Sequence, residues 1–320
     1  MDKVEDSNKP KVQWVDITEE NSEQRIDNFL ITRLKGVPKS KIYRIIRKGE
    51  VRVNKGRISN RYKLEIGDVV RIPPVRVAVR KNEVDLQPTL KYSLEHEIIF
   101  EDEVLVVLNK PSGFAVHGGS GISSGVIEAF RALRPDARFL ELAHRLDKDT
   151  SGCLLVAKKR SALKKLHDLF RGDGVKKTYL ALLVGEWDRK KQLVVAPLLK
   201  STGKGGERMV KVNQAGKYAK TSFKRLKKYN GFTLVEASPK TGRTHQIRVH
   251  SAWLGHPVVA DTRYGDAKIN SFLVKKGFRR LFLHAEQLQF NHPVSGEIMN
   301  FNAPLAPELE KLLKNETLIK

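Results

Sequence analysis

From residue 96 onward the apolar segments of this chain are mostly of strand length, and they do not alternate strictly with helical ones. EVLVVLNKPSG, LLVAKK, KTYLALLVG, TSFKRLKKY, FTLVEASP and LFLHAEQLQF read as strands. Helical spacing is confined to VIEAFRALRP, SALKKLHDLFRG and PELEKLLK. In the second of these Leu163, Leu166, Leu169 and Phe170 are the apolar positions and Ser161 is the expected cap. Strict alternation would call for a parallel, doubly wound sheet. This order predicts instead an α+β fold with a mixed, largely antiparallel sheet.

The chain has 320 residues, enough for about two domains at roughly 100–200 residues each. Its first part has a different character. SEQRIDNFLITRL places Ile26, Phe29, Leu30 and Leu34 on one helical face. Pro38 breaks that helix, and Ser40 is the expected cap of a second one with Ile42, Ile45 and Ile46 inward. Lys39, Lys41, Arg44, Arg47 and Lys48 then point outward together, and Gly49 suits the stop. VRVN, a turn at Lys55–Gly56, and LEIGDVVRIP read as short strands. The segment from Pro74 to about Glu95 carries few periodic signals and reads as a linker.

Charge narrows the partners. The formal net charge is +24 although 40% of residues are hydrophobic, so a full core coexists with a large basic excess. Between Arg25 and Lys63 there are 13 Lys and Arg against Asp27 and Glu50, and between Lys200 and Lys228 there are 10 against Glu207. Isolated, either run could be a solubilising surface. Two such windows point to nucleic acid, whose phosphates supply most non-specific affinity. No apolar run reaches the ~18 residues that span a bilayer. The first 20 residues are polar and lack the apolar stretch of a secretory signal. A single cysteine, Cys153, excludes an internal disulfide framework. These features predict a cytoplasmic protein.

AHRLDKDTSG, Ala143 to Gly152, crowds opposite charges between apolar segments. It could be a solvated turn, although charged segments joined directly to buried strands tend to lie at a sheet edge or cleft. Asp147 and Asp149 could hold a metal only in an extended segment, with Lys148 and Arg145 competing; no zinc spacing supports it, and His245 and His250 are five apart. Ser151 lacks a nucleophile-elbow setting, and Cys153 opens an apolar run and reads as core. The fourth reading is a carboxylate nucleophile, which can attack carbon when a nearby guanidinium offsets its desolvation. GGSGISSG, Gly118 to Gly125, reads as a flexible loop without dinucleotide-binding glycine spacing, and no cofactor motif is present.

RIDNFLITRL, PKSKIYRIIRKGEVRVNKGR and LEIGDVVRI together resemble the S4 RNA-binding module, over Glu23 to Val84. HRLDKDTSG resembles the signature of the RluA family of pseudouridine synthases. NKPSGFAVHGG, KKTYLALL, TGRTHQIRVH, GHPVVADTRYG and LFLHAEQL continue that resemblance in register, over about Glu97 to Pro304. The resemblances imply an extension at 1–22, an S4-like module at 23–84, a linker at 85–95, a catalytic domain at 96–310 and a tail at 311–320.

The family resemblance implies isomerisation of uridine to pseudouridine without any cofactor. Asp147 takes the position of the nucleophile, and attack at uracil C6 or at ribose C1′ stays open. Arg248 takes the position of the arginine that pairs with that carboxylate, a bidentate pair. Tyr179 would stack on the flipped uracil and transfer a proton. Arg145 would fill the gap left by the base or hold phosphates, the bland alternative being an arginine that only balances Asp147 or Asp149. Leu283 would pack against the base. His144, His245 and Thr150 are assigned structural hydrogen bonds. Lys41, Arg44, Arg47 and Lys48 would bind structured RNA, with large-subunit ribosomal RNA or its assembly precursor as partner and a monomer as the expected state. The rival classes are a non-catalytic RNA-binding or ribosome-assembly protein and an enzyme that releases free uracil.

Overall fold

The computed structural model describes residues 11–19, 21–34, 36–75, 94–118, 124–202 and 208–314. Most of the expected linker, the centre of the Gly118–Gly125 loop, part of the second basic window and the last six residues of the tail lie outside the described residues. The chain divides into two compact units, residues 1–83 and 84–320.

In the first unit, helices α1 (Ile26–Arg33) and α2 (Lys39–Arg47) pack on a three-stranded antiparallel sheet, order β1-β3-β2. The strands are β1 (Gln13–Asp16), β2 (Arg52–Val53) and β3 (Val69–Ile72). Residues 13–16, expected in an extension, therefore form a sheet edge. The core joins Ile26, Phe29, Leu30 and Leu34 to Ile42, Ile45 and Ile46, the two apolar stripes read from helical spacing. Arg44, Arg47 and Lys48 are exposed on the other side of α2, and Lys41 is half-buried. Ser40 does not cap α2: the cap position lies two residues earlier, at Pro38, whose carbonyl accepts from the Lys41 and Ile42 N–H groups. Proline suits the start of a helix because its fixed φ fits there and its missing donor is not needed.

The second unit is built on a mixed ten-stranded sheet, largely antiparallel as the strand-rich pattern predicts. Its main path runs through β4 (Ile98–Glu101), β5 (Leu105–Lys110), β7 (Ser151–Ala157), β14 (Leu283–Asn291), β8 (Val175–Val184), β13 (Phe232–Pro239), β12 (Lys220–Tyr229) and β9 (Lys191–Val195). β6 (Glu141–Leu142) pairs with β7, and β15 (Ile298–Asn302) with β14. The β7–β14 pair is parallel. A separate hairpin joins β10 (Leu198–Thr202) to β11 (Arg208–Val212).

β7 is buried along its whole length because both faces are covered, which explains its unbroken apolar run. Leu154 and Val156 pack with Ile127 and Phe130 of helix α3 (Val126–Leu133). Cys153, Leu155 and Ala157 pack with Leu166 of helix α4 (Arg160–Arg171) and with Phe290 and Phe301. Ser161 does not cap α4, whose cap position lies two residues earlier at Lys159, in extended conformation and with no side-chain cap. Helices α5 (Gln246–Trp253) and α6 (Ala267–Lys275) follow β13, and α7 (Pro307–Lys314) crosses the expected start of the tail. Gly152 is a steric requirement of this sheet: its φ is +106°, and a Cβ there would collide with the backbone of Ala285 on β14.

Candidate active site

The charged decapeptide ends directly in β7, so strand pairing fixes one end of it. The residues just before that strand are pinned by a fully buried lysine. Lys110 Nζ donates to the carbonyls of Pro111 (2.8 Å), Phe114 (2.9 Å) and Lys148 (3.0 Å). The Ser112 hydroxyl donates to Asp149 O at 2.7 Å, and Gly113 N–H to Lys148 O at 3.0 Å. NKPSG is thus a clamp on the loop that carries Asp147. Burial pushes the Lys110 ammonium down to about 7, against the pull of Asp149 and Asp147.

The loop bounds a cavity of about 550 Å³ whose lining includes Asp147, Arg145, Tyr179, Arg248 and Leu283. These five residues lie far apart in sequence and converge here. Lys41, Arg44, Arg47 and Lys48 belong to the first unit. Asp147 is half-buried, its side chain 19% exposed, so the open-turn reading fails. Asp149 does not line the cavity, so the two carboxylates do not converge on it. Ser151 is buried, 2.8 Å from His284 Nδ1 and bonded to Arg280. Cys153 is buried too, and burial pushes its thiol up to about 11, where the reactive thiolate is scarce.

Arg248 departs from the expected geometry. It is buried on α5, and its bidentate partner is Asp261, through Nε to Oδ2 (2.7 Å) and Nη2 to Oδ1 (2.8 Å). Asp147 receives only the remaining arm, Nη1 to Oδ2 at 3.4 Å. A guanidinium has five donors in a rigid fork, so two arms can be anchored while the third is aimed. The Arg248 guanidinium also lies 5.2 Å over the Tyr264 ring. Asp261 accepts further bonds from the N–H groups of Arg263 (2.9 Å) and Tyr264 (3.1 Å). Burial alone would raise the Asp261 pKa; Arg248 and these amides outweigh it and hold the carboxyl below its ordinary range.

Gln246 clamps the turn before α5. Its Oε1 accepts from the Thr241 hydroxyl (2.7 Å) and Arg243 N–H (3.0 Å), and its Nε2 donates to Lys220 O (3.0 Å) and Thr221 Oγ1 (2.9 Å). His245 precedes it with φ +53°, the left-handed region. Its side chain and that of Arg248 are three residues apart, one helical turn, and both reach toward Asp147.

Tyr179 is half-buried on β8 and packs against two of the core clusters. Burial first, and the Asp147 charge second, raise its pKa well above the ordinary phenol value, so it stays protonated. Leu283 is buried beside it at the start of β14. Arg145 is exposed at the cavity and pairs with neither Asp147 nor Asp149, which removes the charge-balancing alternative. Lys177, Lys240 and Arg243 line the same cavity, so cations surround Asp147, the single lining carboxylate among the described residues.

Of the three residues expected in structural hydrogen bonds, His144 conforms. Its Nε2 accepts from Leu155 N–H at 3.0 Å and its ring stacks on Phe170 at 4.8 Å. Burial holds its pKa down to about 3, so the accepting nitrogen stays unprotonated. Thr150 does not conform: its buried hydroxyl has no partner among the described residues. Asp261 and Lys110 do not stand out as site residues in the sequence, although both sit inside segments that carry the family resemblance. Their roles come from burial and from partners that sequence spacing does not reveal.

Comparisons with known proteins agree on the two parts. The RNA pseudouridylate synthase family matches residues 104–253, and the S4 domain family matches residues 24–70. Ribosomal large subunit pseudouridine synthase C of Pasteurella multocida is 57% identical over 303 residues, which is 94% of this chain and 93% of that protein. The protein of the same name from Escherichia coli K12 is 57% identical over 309 residues, 95% of this chain and 97% of that protein. Among solved structures, human RNA pseudouridylate synthase domain containing 4 superimposes with TM-score 0.58 at 27% identity, over 72% of this chain and 97% of that one.

Proposed function

The chain belongs to the RNA pseudouridylate synthase family, in the form that carries an S4 domain, and from this premise we propose that it isomerises specific uridines of large-subunit ribosomal RNA with Asp147 as nucleophile. The observation that carries the proposal is Asp147, the single lining carboxylate among the described residues of a cavity that also carries Arg145, Lys177, Lys240 and Arg243, with the buried Arg248 aimed at it. A protein that only binds a polyanion gains nothing from an acid at that place, since it would repel phosphate. An extruded uridine escapes that repulsion because its uracil is neutral.

The chemistry follows from the geometry. The target must leave its stack to reach Asp147, at a cost of a few kcal/mol. Arg145, exposed at the cavity, can occupy the space left by the base or hold a flanking phosphate. Leu283 and the ring of Tyr179 offer apolar surface to uracil. The Asp147 carboxylate attacks uracil C6 or ribose C1′, the N1–C1′ bond breaks, the base turns, C5 joins C1′, and the bond between Asp147 and carbon breaks to free the carboxylate (displaced by C5 at C1′, or eliminated from C6). C5 then loses its proton and N1 gains one. Tyr179, kept as a neutral phenol, is the group on hand to move that proton. No water is consumed.

Large-subunit rRNA carrying tritium at uridine C5 is the direct substrate for a test. The protein is expected to release the label and leave an isomerised nucleotide in the chain. Recovery of free uracil would make it a glycoside-cleaving enzyme, and no release with tight binding would make it an assembly protein.

The exposed Arg44, Arg47 and Lys48 with Lys41 support a second part of the proposal, that the first unit grips structured RNA through phosphates. Deleting residues 1–90 is expected to weaken rRNA binding and to flatten the dependence of log K on log salt by roughly 0.7–0.9 for each phosphate that the truncated protein no longer neutralises. The second unit has its own cores and should keep its thermal transition. Equal affinity of the truncated protein across salt concentrations would remove the first unit from substrate binding. No helix among the described residues is long and apolar enough to cross a membrane, and a cytoplasmic monomer is part of the same proposal.

A further inference from the structure

We propose that His245 is a positioning residue for the nucleophile: held by Tyr264 as the tautomer that carries its proton on Nε2, it presents that N–H to the Asp147 oxygen which Arg248 does not hold. The inference rests on the reading of Asp147 as nucleophile. Its basis is a relay of polar groups. Val210 N–H, on the β10–β11 hairpin, reaches the Tyr264 hydroxyl at 3.1 Å. That hydroxyl is 2.7 Å from His245 Nδ1. His245 Nε2 is 3.9 Å from Asp147 Oδ1, while Arg248 Nη1 is on Oδ2.

A backbone amide only donates, so the Tyr264 oxygen accepts from Val210. Nδ1 lies 2.7 Å from that oxygen, and the relay assigns it as the acceptor of the phenol proton. A half-buried phenol donates when an acceptor is in reach, and doing so leaves Nδ1 unprotonated and puts the ring proton on Nε2. The proton stays single: burial lowers the His245 pKa, and Arg248 and Arg263 reinforce this against Asp147 and Asp261. Both approaches to Asp147 are long in the free protein, as catalytic hydrogen bonds often are before substrate closes on them. Two donors, one per carboxylate oxygen, fix the plane of the carboxylate, and one donor alone leaves it free to turn. Because the relay starts on the β10–β11 hairpin, the orientation of the nucleophile is also tied to that hairpin's seating.

The left-handed backbone at position 245 permits a test that separates this role from a merely structural one. Asparagine tolerates φ near +53° well, but its amide ends where Nδ1 stands and does not reach Asp147. Glutamine fits the backbone less well, but its amide reaches the place of Nε2. With saturating rRNA, His245→Asn is expected to lower the single-turnover rate about 100-fold with RNA affinity unchanged, and His245→Gln to restore about a tenth of the wild-type rate. If position 245 served only the turn, asparagine would be the more active of the two, and that order overturns the proposal. Tyr264→Phe keeps the ring on Arg248 and the backbone intact, which covers the case of a glutamine variant that does not fold. It is expected to lose rate at constant affinity, and the Tyr264→Phe/His245→Asn double variant to lose no more than His245→Asn alone. Losses that multiply would mean two independent effects and no relay. Asp147→Asn in the same assay keeps the two readings apart. If it forms pseudouridine, the nucleophile assignment fails. If it is inactive while His245→Asn matches wild type, only the positioning role fails.

Discussion

Asp147→Asn is expected to bind large-subunit rRNA as well as the wild type and to form pseudouridine at least about 10⁴-fold more slowly, the scale on which removal of a covalent nucleophile acts. The substitution keeps the shape of the side chain and removes its charge and nucleophilicity. It leaves the clamp on the loop intact, because Lys110, Ser112 and Gly113 bond to carbonyls of residues 148 and 149 and to the chain at 111 and 114, none of them to the Asp147 side chain. Affinity should hold or rise slightly, since a negative charge leaves a cavity lined by Arg145, Lys177, Lys240 and Arg243. Tritium release from uridine C5 measures the rate, and filter binding at fixed salt measures the affinity. Release at the wild-type rate would end the nucleophile assignment; a parallel collapse of binding would recast Asp147 as an organiser of the site.

The second large effect is expected at Asp261, a residue without a direct part in the chemistry. Asp261→Asn leaves the Arg248 guanidinium buried without its counter-charge. Breaking a buried pair in this way costs about 3–5 kcal/mol, and the side chains here are 5% and 0% exposed. For a domain of this size the loss corresponds to a fall in Tm of roughly 10 °C by calorimetry. The rate should fall as well, because the two arms that aim Nη1 at Asp147 lose their anchor. The same pair gives the wild type a pH signature. The Asp261 carboxyl is held below its ordinary range, so its stabilisation is complete above the pKa of an unfolded aspartate and is lost as pH falls through the lower folded value. The difference in Tm between wild type and Asp261→Asn should therefore shrink on acidification and stay constant above neutrality. A difference independent of pH would assign the loss to packing.

The sequence makes the first unit legible because its core depends on local spacing. Two helical stripes, Ile26 to Leu34 and Ile42 to Ile46, meet as read. β7 is legible for the same reason, an apolar run long enough to need cover on both faces. β9, β10 and β11 are not: they are short and carry lysines and arginines, β9 owes its pairing to β12 further along the chain, and β10 and β11 form a hairpin of their own without a clear alternation to announce it. Helix α5 is hidden as well. Nearly all of it is buried, including Gln246, Arg248 and His250, so it has no polar face to give an amphipathic signal. In the site, Asp147, Arg145 and Tyr179 stand out through the motifs that hold them, but the partner of Arg248 does not. A motif names an arginine, and only three-dimensional packing decides which of two aspartates takes its fork.

The order of strands carries a consequence for biogenesis. Asp147 leads into β7 and Tyr179 sits on β8, yet those two strands are not paired; β14, which begins about a hundred residues after β8 ends, lies between them in the sheet. A growing polypeptide can lay down both halves of the reaction centre early and still have a slot down its middle. Catalytic competence is therefore expected only once residues 283–291 have left the exit tunnel and paired, parallel to one neighbour and antiparallel to the other. An enzyme whose proposed substrate is the RNA of the translating machine is, by this threading, expected to be inactive for most of the time it is still being made on it.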